Sequence, residues 1–125
     1  MAENCAERVK WIKHQGKKIL YCDYSKLRGP AYIEHVEYQL SLVREDLKTK
    51  PPKMLVVIDA SNAVTDKTIK KMAQSTFDLA KEAGAEYLVA VLGVTRVIRI
   101  LAQAINKDMY FAKDKEDALD WLAKQ

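Results

Sequence analysis

Residues 55–68 read LVVIDASNAVTDKT. The unbroken apolar run ends at an acid, Asp59, and small polar residues follow at once. Such a run, without alternation, suits a strand covered on both faces, as in a parallel sheet. A strand over residues 54–58 is therefore central, and its flanks decide the fold. Upstream, Pro51-Pro52 ends a helix just before this strand. That helix opens at Gly29-Pro30, where proline fits the first helical position. Val36, Leu40, Val43 and Leu47 then form one apolar stripe at helical spacing. Earlier still, residues 9–13 and 18–24 are β-rich runs around His14-Gln15-Gly16, which predicts an antiparallel hairpin.

Downstream, residues 66–83 form a helix with Ile69, Met72, Ala73, Thr76 and Ala80 on one side and Gly84 at its end. Residues 87–92 are a second nearly all-apolar strand. Gly93 breaks it, and Thr95 caps a helix running to about Asn106. Residues 109–112 form a short strand. Asp114 caps a last helix, with Asp117 three residues on and Leu119, Trp121 and Leu122 as its apolar contacts. The order β-β-α-β-α-β-α-β-α predicts an α/β fold: an N-terminal hairpin, then alternating units, a five-stranded mostly parallel sheet and about four helices. The chain of 125 residues reads as a single domain with a core over about 8–123.

Composition bounds the function. Apolar residues make up 49% and charged residues 30%, as in a soluble globular protein. No apolar stretch approaches the ~20 residues that span a bilayer, and MAENCAERVK lacks the apolar core of a signal peptide. A cytoplasmic location is expected. A net charge of +4, scattered in pairs such as Lys17-Lys18 and Lys70-Lys71, does not indicate a nucleic-acid partner. Cys5 and Cys22 are far apart without a CxxC, so neither a disulfide nor zinc is expected, and Cys22 reads as a small buried residue. No GxxxxGK or GxGxxG phosphate loop is present, and no cofactor or metal is expected.

In open α/β sheets, ligands and partners meet the loops after the carboxyl ends of strands. Asp59 leaves the third strand on that edge. As a catalytic acid it needs a second carboxylate, a histidine or a metal set beside it. Receiver domains also carry an aspartate here, but with further acids near the first strand; this chain offers Asp23 alone. The bland reading has Asp59 or Ser61 accepting backbone N–H groups in a turn, and it is preferred. His14, in the hairpin turn, and His35, on the first helix, have no nucleophile to serve. The third loop, Gly93-Val94-Thr95-Arg96, puts a capping hydroxyl and a guanidinium at a helix start, with Arg99 on the same face. Ordinary capping explains it; an anionic site is the alternative.

The VVIDAS strand end, the VLGVTR strand-to-helix turn and the closing KDKEDALDWL, on this element order, resemble the STAS domain, the SpoIIAA-like family of bacterial anti-sigma factor antagonists. The resemblance runs from about residue 8 to 123. It implies a non-enzymatic regulatory or protein-interaction module, with a kinase-like or other regulator as partner. It also implies a phosphorylated serine or threonine beside an aspartate where the helix after the central strand begins. The matching stretch is Thr65, Asp66, Lys67 and Thr68, with Lys67 standing where that hydroxyl is expected. Residues 65–69 are expected to be exposed and to bind the partner. The runner-up is a carrier or sensor of a small anionic or amphipathic molecule, a lipid or nucleotide, at Asp59, Ser61, Asn62, Thr95, Arg96 and Arg99. Oligomeric state is open.

Overall fold

The computed structural model describes residues 4–105 and 109–125. A single-turn helix, α1 (Cys5–Arg8), leads into the hairpin of β1 (Val9–His14) and β2 (Lys17–Asp23). Then follow α2 (Gly29–Leu47), β3 (Lys53–Asp59), α3 (Lys67–Glu82), β4 (Glu86–Leu92), α4 (Arg96–Ile105), β5 (Tyr110–Ala112) and α5 (Lys115–Ala123). The expected α/β architecture is what forms: five strands in the order β1-β2-β3-β4-β5, with only the β1–β2 pair antiparallel. The expected helix end at Asn106 lies outside the described residues. The expected helices did not include α1, which Asn4 caps by accepting the Ala6 N–H at 3.0 Å.

The hairpin closes through Gln15 and Gly16 alone, at φ 50° and 79°. Two positive φ values in a two-residue loop match the right-handed twist of the strands it joins. His14 is the last residue of β1 rather than part of the turn.

Because the parallel strands follow in sequential order, α2 and α3 fall on one face. There Leu20, Cys22, Met54, Val56, Tyr87 and Val89 meet Tyr32, Val36, Val43, Ile69 and Ala80. The other face would be bare, and α5 covers it. After the last strand, Ala118, Leu119 and Leu122 pack on Ile19, Leu55, Val57, Leu88 and Ala90. Polar contacts hold α5 down at its far end, where His14 Nε2 lies 2.7 Å from Asp120 Oδ1. At β5, the Tyr110 and Trp121 rings stack 4.7 Å apart. With helices on both faces, β3 is apolar over residues 54–58 and β4 over residues 87–92, with Val56 and Val57 both fully buried on opposite sides.

Candidate functional site: the carboxyl edge of the sheet

Parallel register brings Asp23, Asp59 and Leu92 side by side where β2, β3 and β4 end. Asp59 Oδ1 accepts the Ser61 N–H at 3.0 Å and the Ser61 hydroxyl at 2.6 Å. One strand over, Asp23 Oδ1 accepts the Ser25 N–H and hydroxyl at the same two distances. The copy extends further. Lys26 and Asn62 both adopt left-handed backbone, at φ 62° and 58°. The Leu27 and Ala63 N–H groups then bond the Tyr24 and Ala60 carbonyls, each at 3.1 Å. Asp59 therefore shapes a turn, and Asp23-Tyr24-Ser25 builds the same turn. The D-x-S pattern after two successive strands is visible in the sequence; comparing strand ends with one another would have found it.

The two turns are laced together. Tyr24 N–H bonds the Asp59 carbonyl at 2.9 Å, Lys26 N–H the Ser61 carbonyl at 2.9 Å, and Val64 N–H the Leu27 carbonyl at 3.0 Å. On the other side, Ala60 N–H bonds the Leu92 carbonyl at 2.9 Å. Gly93, at φ 80°, lies so close that a Cβ there would stand 2.6 Å from Ser61 N and Cα. Arg8 anchors the Asp23 turn from α1, donating to the Asp23 and Ser25 carbonyls at 3.3 and 2.9 Å. A rigid floor thus runs under the edge, made mostly of backbone hydrogen bonds.

On this floor the expected site residues divide. Ser61 and Asn62 belong to the Asp59 turn, Ser61 half-buried and Asn62 exposed. The Gly93–Ser61 contact brings the loop carrying Thr95 and Arg96 beside that turn. Arg96 opens α4 and is exposed, and the Thr95 carbonyl accepts the Arg99 N–H at 2.9 Å. Arg99 faces β5: its guanidinium carbon is 5.1 Å from the Phe111 ring centre. Asp66 is the N-cap of α3, its Oδ1 accepting the Ile69 N–H at 2.9 Å. Asp66, Lys67 and Thr68 are exposed, as expected. Thr65 is half-buried, and Ile69 is 4% exposed, against the expectation of an exposed segment through residue 69. Ile69 carries the apolar stripe of α3 into the core one turn earlier than the exposed reading allowed. Beside the cap, Val64 is 50% exposed, one of two large apolar side chains so exposed among the described residues.

Electrostatically the edge is acidic at its floor. Asp59 and Asp23 add to burial in pushing the Tyr21 hydroxyl up to about 12. The Lys115 ammonium sits 4.4 Å from the Tyr21 ring centre, a cation over an aromatic face. Among the described residues no group of three or more His, Cys, Asp and Glu could hold a metal ion. Cys5 and Cys22 are free thiols, and Cys22 is fully buried. Burial pushes the Cys22 thiol well up, so it stays protonated, the opposite of what a nucleophile needs. His35, on α2, is buried, with Nδ1 2.7 Å from the Ala31 carbonyl. No helix of the described residues is long and apolar enough to cross a membrane.

Comparison with family models, with curated proteins and with solved structures found no significant match.

Proposed function

We propose that this chain is a small non-enzymatic regulatory domain of STAS type that works by docking a protein partner on the carboxyl edge of its sheet. The observation that carries the reading is the first turn of α3. There a capped, geometrically fixed helix start presents Asp66, Lys67 and Thr68 to solvent, with the exposed apolar Val64 beside it. A rigid polar rim around an apolar contact is what a protein interface uses. Against catalysis stands the engagement of the edge carboxylates: Asp23 and Asp59 both spend Oδ1 on their own turns. The partner is a kinase-like or other regulatory protein, and Lys67 gives this edge a cation where related modules place a phosphorylated hydroxyl.

The test starts from a partner captured with the intact chain and identified by mass spectrometry. Its affinity is then measured by calorimetry for Asp66→Asn and Lys67→Glu. Asn retains the capping oxygen, so the fold stays intact while the charge is removed. Both variants are expected to weaken binding by about tenfold, the usual consequence of altering a charge that complements a partner. Equal affinities, with unchanged melting curves, would move the docking surface away from α3 and toward Thr95 and Arg96.

A further inference from the structure

A second site lies between α2 and α3, just inside the carboxyl edge. A cavity of about 60 Å³ lies there; its surface is mostly apolar, and Tyr24, Tyr32, Gln39, Thr76 and Tyr87 are its polar lining residues. All five are more than nine-tenths buried. Gln39 organises them: its Oε1 accepts the Tyr24 hydroxyl, and its Nε2 donates to the Tyr87 hydroxyl at 3.0 Å. Thr76 donates to the Met72 carbonyl at 3.0 Å. Two protons are left over. Among the described residues no acceptor takes the hydroxyl proton of Tyr87 or of Tyr32. Tyr87 already has Gln39 as one partner, but neither hydroxyl proton is engaged, so an acceptor inside the cavity would meet two available donors.

We propose that this cavity binds a neutral molecule presenting one oxygen acceptor, a carbonyl or ether, on a short apolar body, with Tyr32 and Tyr87 as donors. The donors stay protonated: burial holds Tyr32 up at about 12 and Tyr87 well above its usual value. The guest is neutral because no Lys, Arg, Asp or Glu lines the space, and an unpaired charge there would be strongly disfavoured. Its body is apolar because Val36, Ile58, Ile69, Ala73 and Phe77 form the rest of the wall. Its size follows from the volume. A dry cavity of about 150 Å³ takes benzene, so this one holds roughly two or three heavy atoms, the acceptor and its nearest neighbours. Ala73 and Phe77, on α3, are half-buried, so a longer molecule can leave its tail outside on that side. A free short ketone and the end of a longer chain therefore share the chemistry.

The experiment is a methyl NMR titration of the intact chain with acetone, butan-2-one and octan-2-one, and with cyclopentane as the hydrocarbon control, at about millimolar concentration. Saturable shifts confined to Val36, Ile58, Ile69 and Ala73 are expected for the ketones and not for cyclopentane. Tighter binding of octan-2-one than of butan-2-one assigns the site to the end of a chain; the reverse assigns it to a free small molecule. Tyr32→Phe keeps the ring packed 5.2 Å from Tyr24 and removes only the donor; it should weaken ketone binding about three- to tenfold, the worth of one hydrogen bond. Ala73→Leu fills the space and should abolish binding while the fold persists. Ketone shifts that do not saturate, or that survive both substitutions, overturn the proposal. So does a cavity that exchanges ordered water only.

Discussion

At the scale of single residues, two four-residue turns carry the working edge. Each begins with an aspartate that accepts from its own serine and each passes through a left-handed residue, Lys26 or Asn62. Asparagine tolerates that backbone well, and lysine less so. Lys26 keeps its place because its N–H bonds Ser61 across the floor. Gly93 shows the same economy of space more sharply. Gly16 and Gly93 have nearly the same φ, 79° and 80°. A Cβ on Gly16 meets nothing within 4 Å, whereas one on Gly93 meets the Ser61 backbone. Gly16→Ala should therefore cost only the left-handed penalty, about 1 kcal/mol. Gly93→Ala should cost that and, in addition, about 2 kcal/mol or more for displacing a packed loop. Chemical denaturation of the two variants measures the difference, and equal midpoints would contradict the close approach of the two loops.

At the scale of elements, helix starts were the most legible features and contacts between distant elements the least. Gly29-Pro30, Asp66 and Asp114 each mark a helix boundary by local chemistry, and each stands at one. The strands announced themselves by apolar runs. The short α1 did not, because four residues are too few for any periodicity. Ile69 follows the apolar side of its helix, as the spacing predicts, and not the exposed first turn: the expected docking segment extends one residue too far. The Tyr24–Gln39–Tyr87 network was illegible for a stronger reason: its members lie 15 and 48 residues apart, and only folding joins them. For the start of α3 the chemistry gives a clean expectation. Asp66→Ala removes the cap from the Ile69 N–H and should cost about 1 kcal/mol, while Asp66→Asn should be nearly neutral. Lys67→Ser removes a cation from the positive end of the helix dipole and should raise stability by a few tenths of a kcal/mol, up to about 1 kcal/mol. Melting curves of the three variants, taken side by side, check both signs.

At the scale of the whole molecule, tyrosines are built into both faces of the sheet. Tyr21 lies on the face that α5 covers; on the other face Tyr24 and Tyr87 meet Tyr32 of α2 in the core beneath α2 and α3. Burial raises all four hydroxyls above the usual 10.0. Tyr21 and Tyr32 reach about 12, and Tyr24 and Tyr87 are also raised well above the usual value. The unfolded chain ionises these groups near pH 10, while the folded chain keeps them neutral. Their contribution to stability is therefore intact below pH 10 and is lost as the pH rises toward 12, because unfolding then releases protons. Acid has no such effect on these groups, so the stability profile should fall on the alkaline side through tyrosine. Tyr32→Phe isolates one member: the ring and its packing on Tyr24 remain, and only the titrating hydroxyl is gone. Between pH 10 and 12 the melting temperature of the variant should fall less steeply than that of the parent, by up to one proton released per chain. Ultraviolet titration of the folded chain should show no tyrosinate from the buried residues until the protein unfolds. A normal tyrosine titration near pH 10 in a still-folded protein would mean that solvent reaches these hydroxyls. The cavity between α2 and α3 would then admit bulk water as far as its tyrosine hydroxyls.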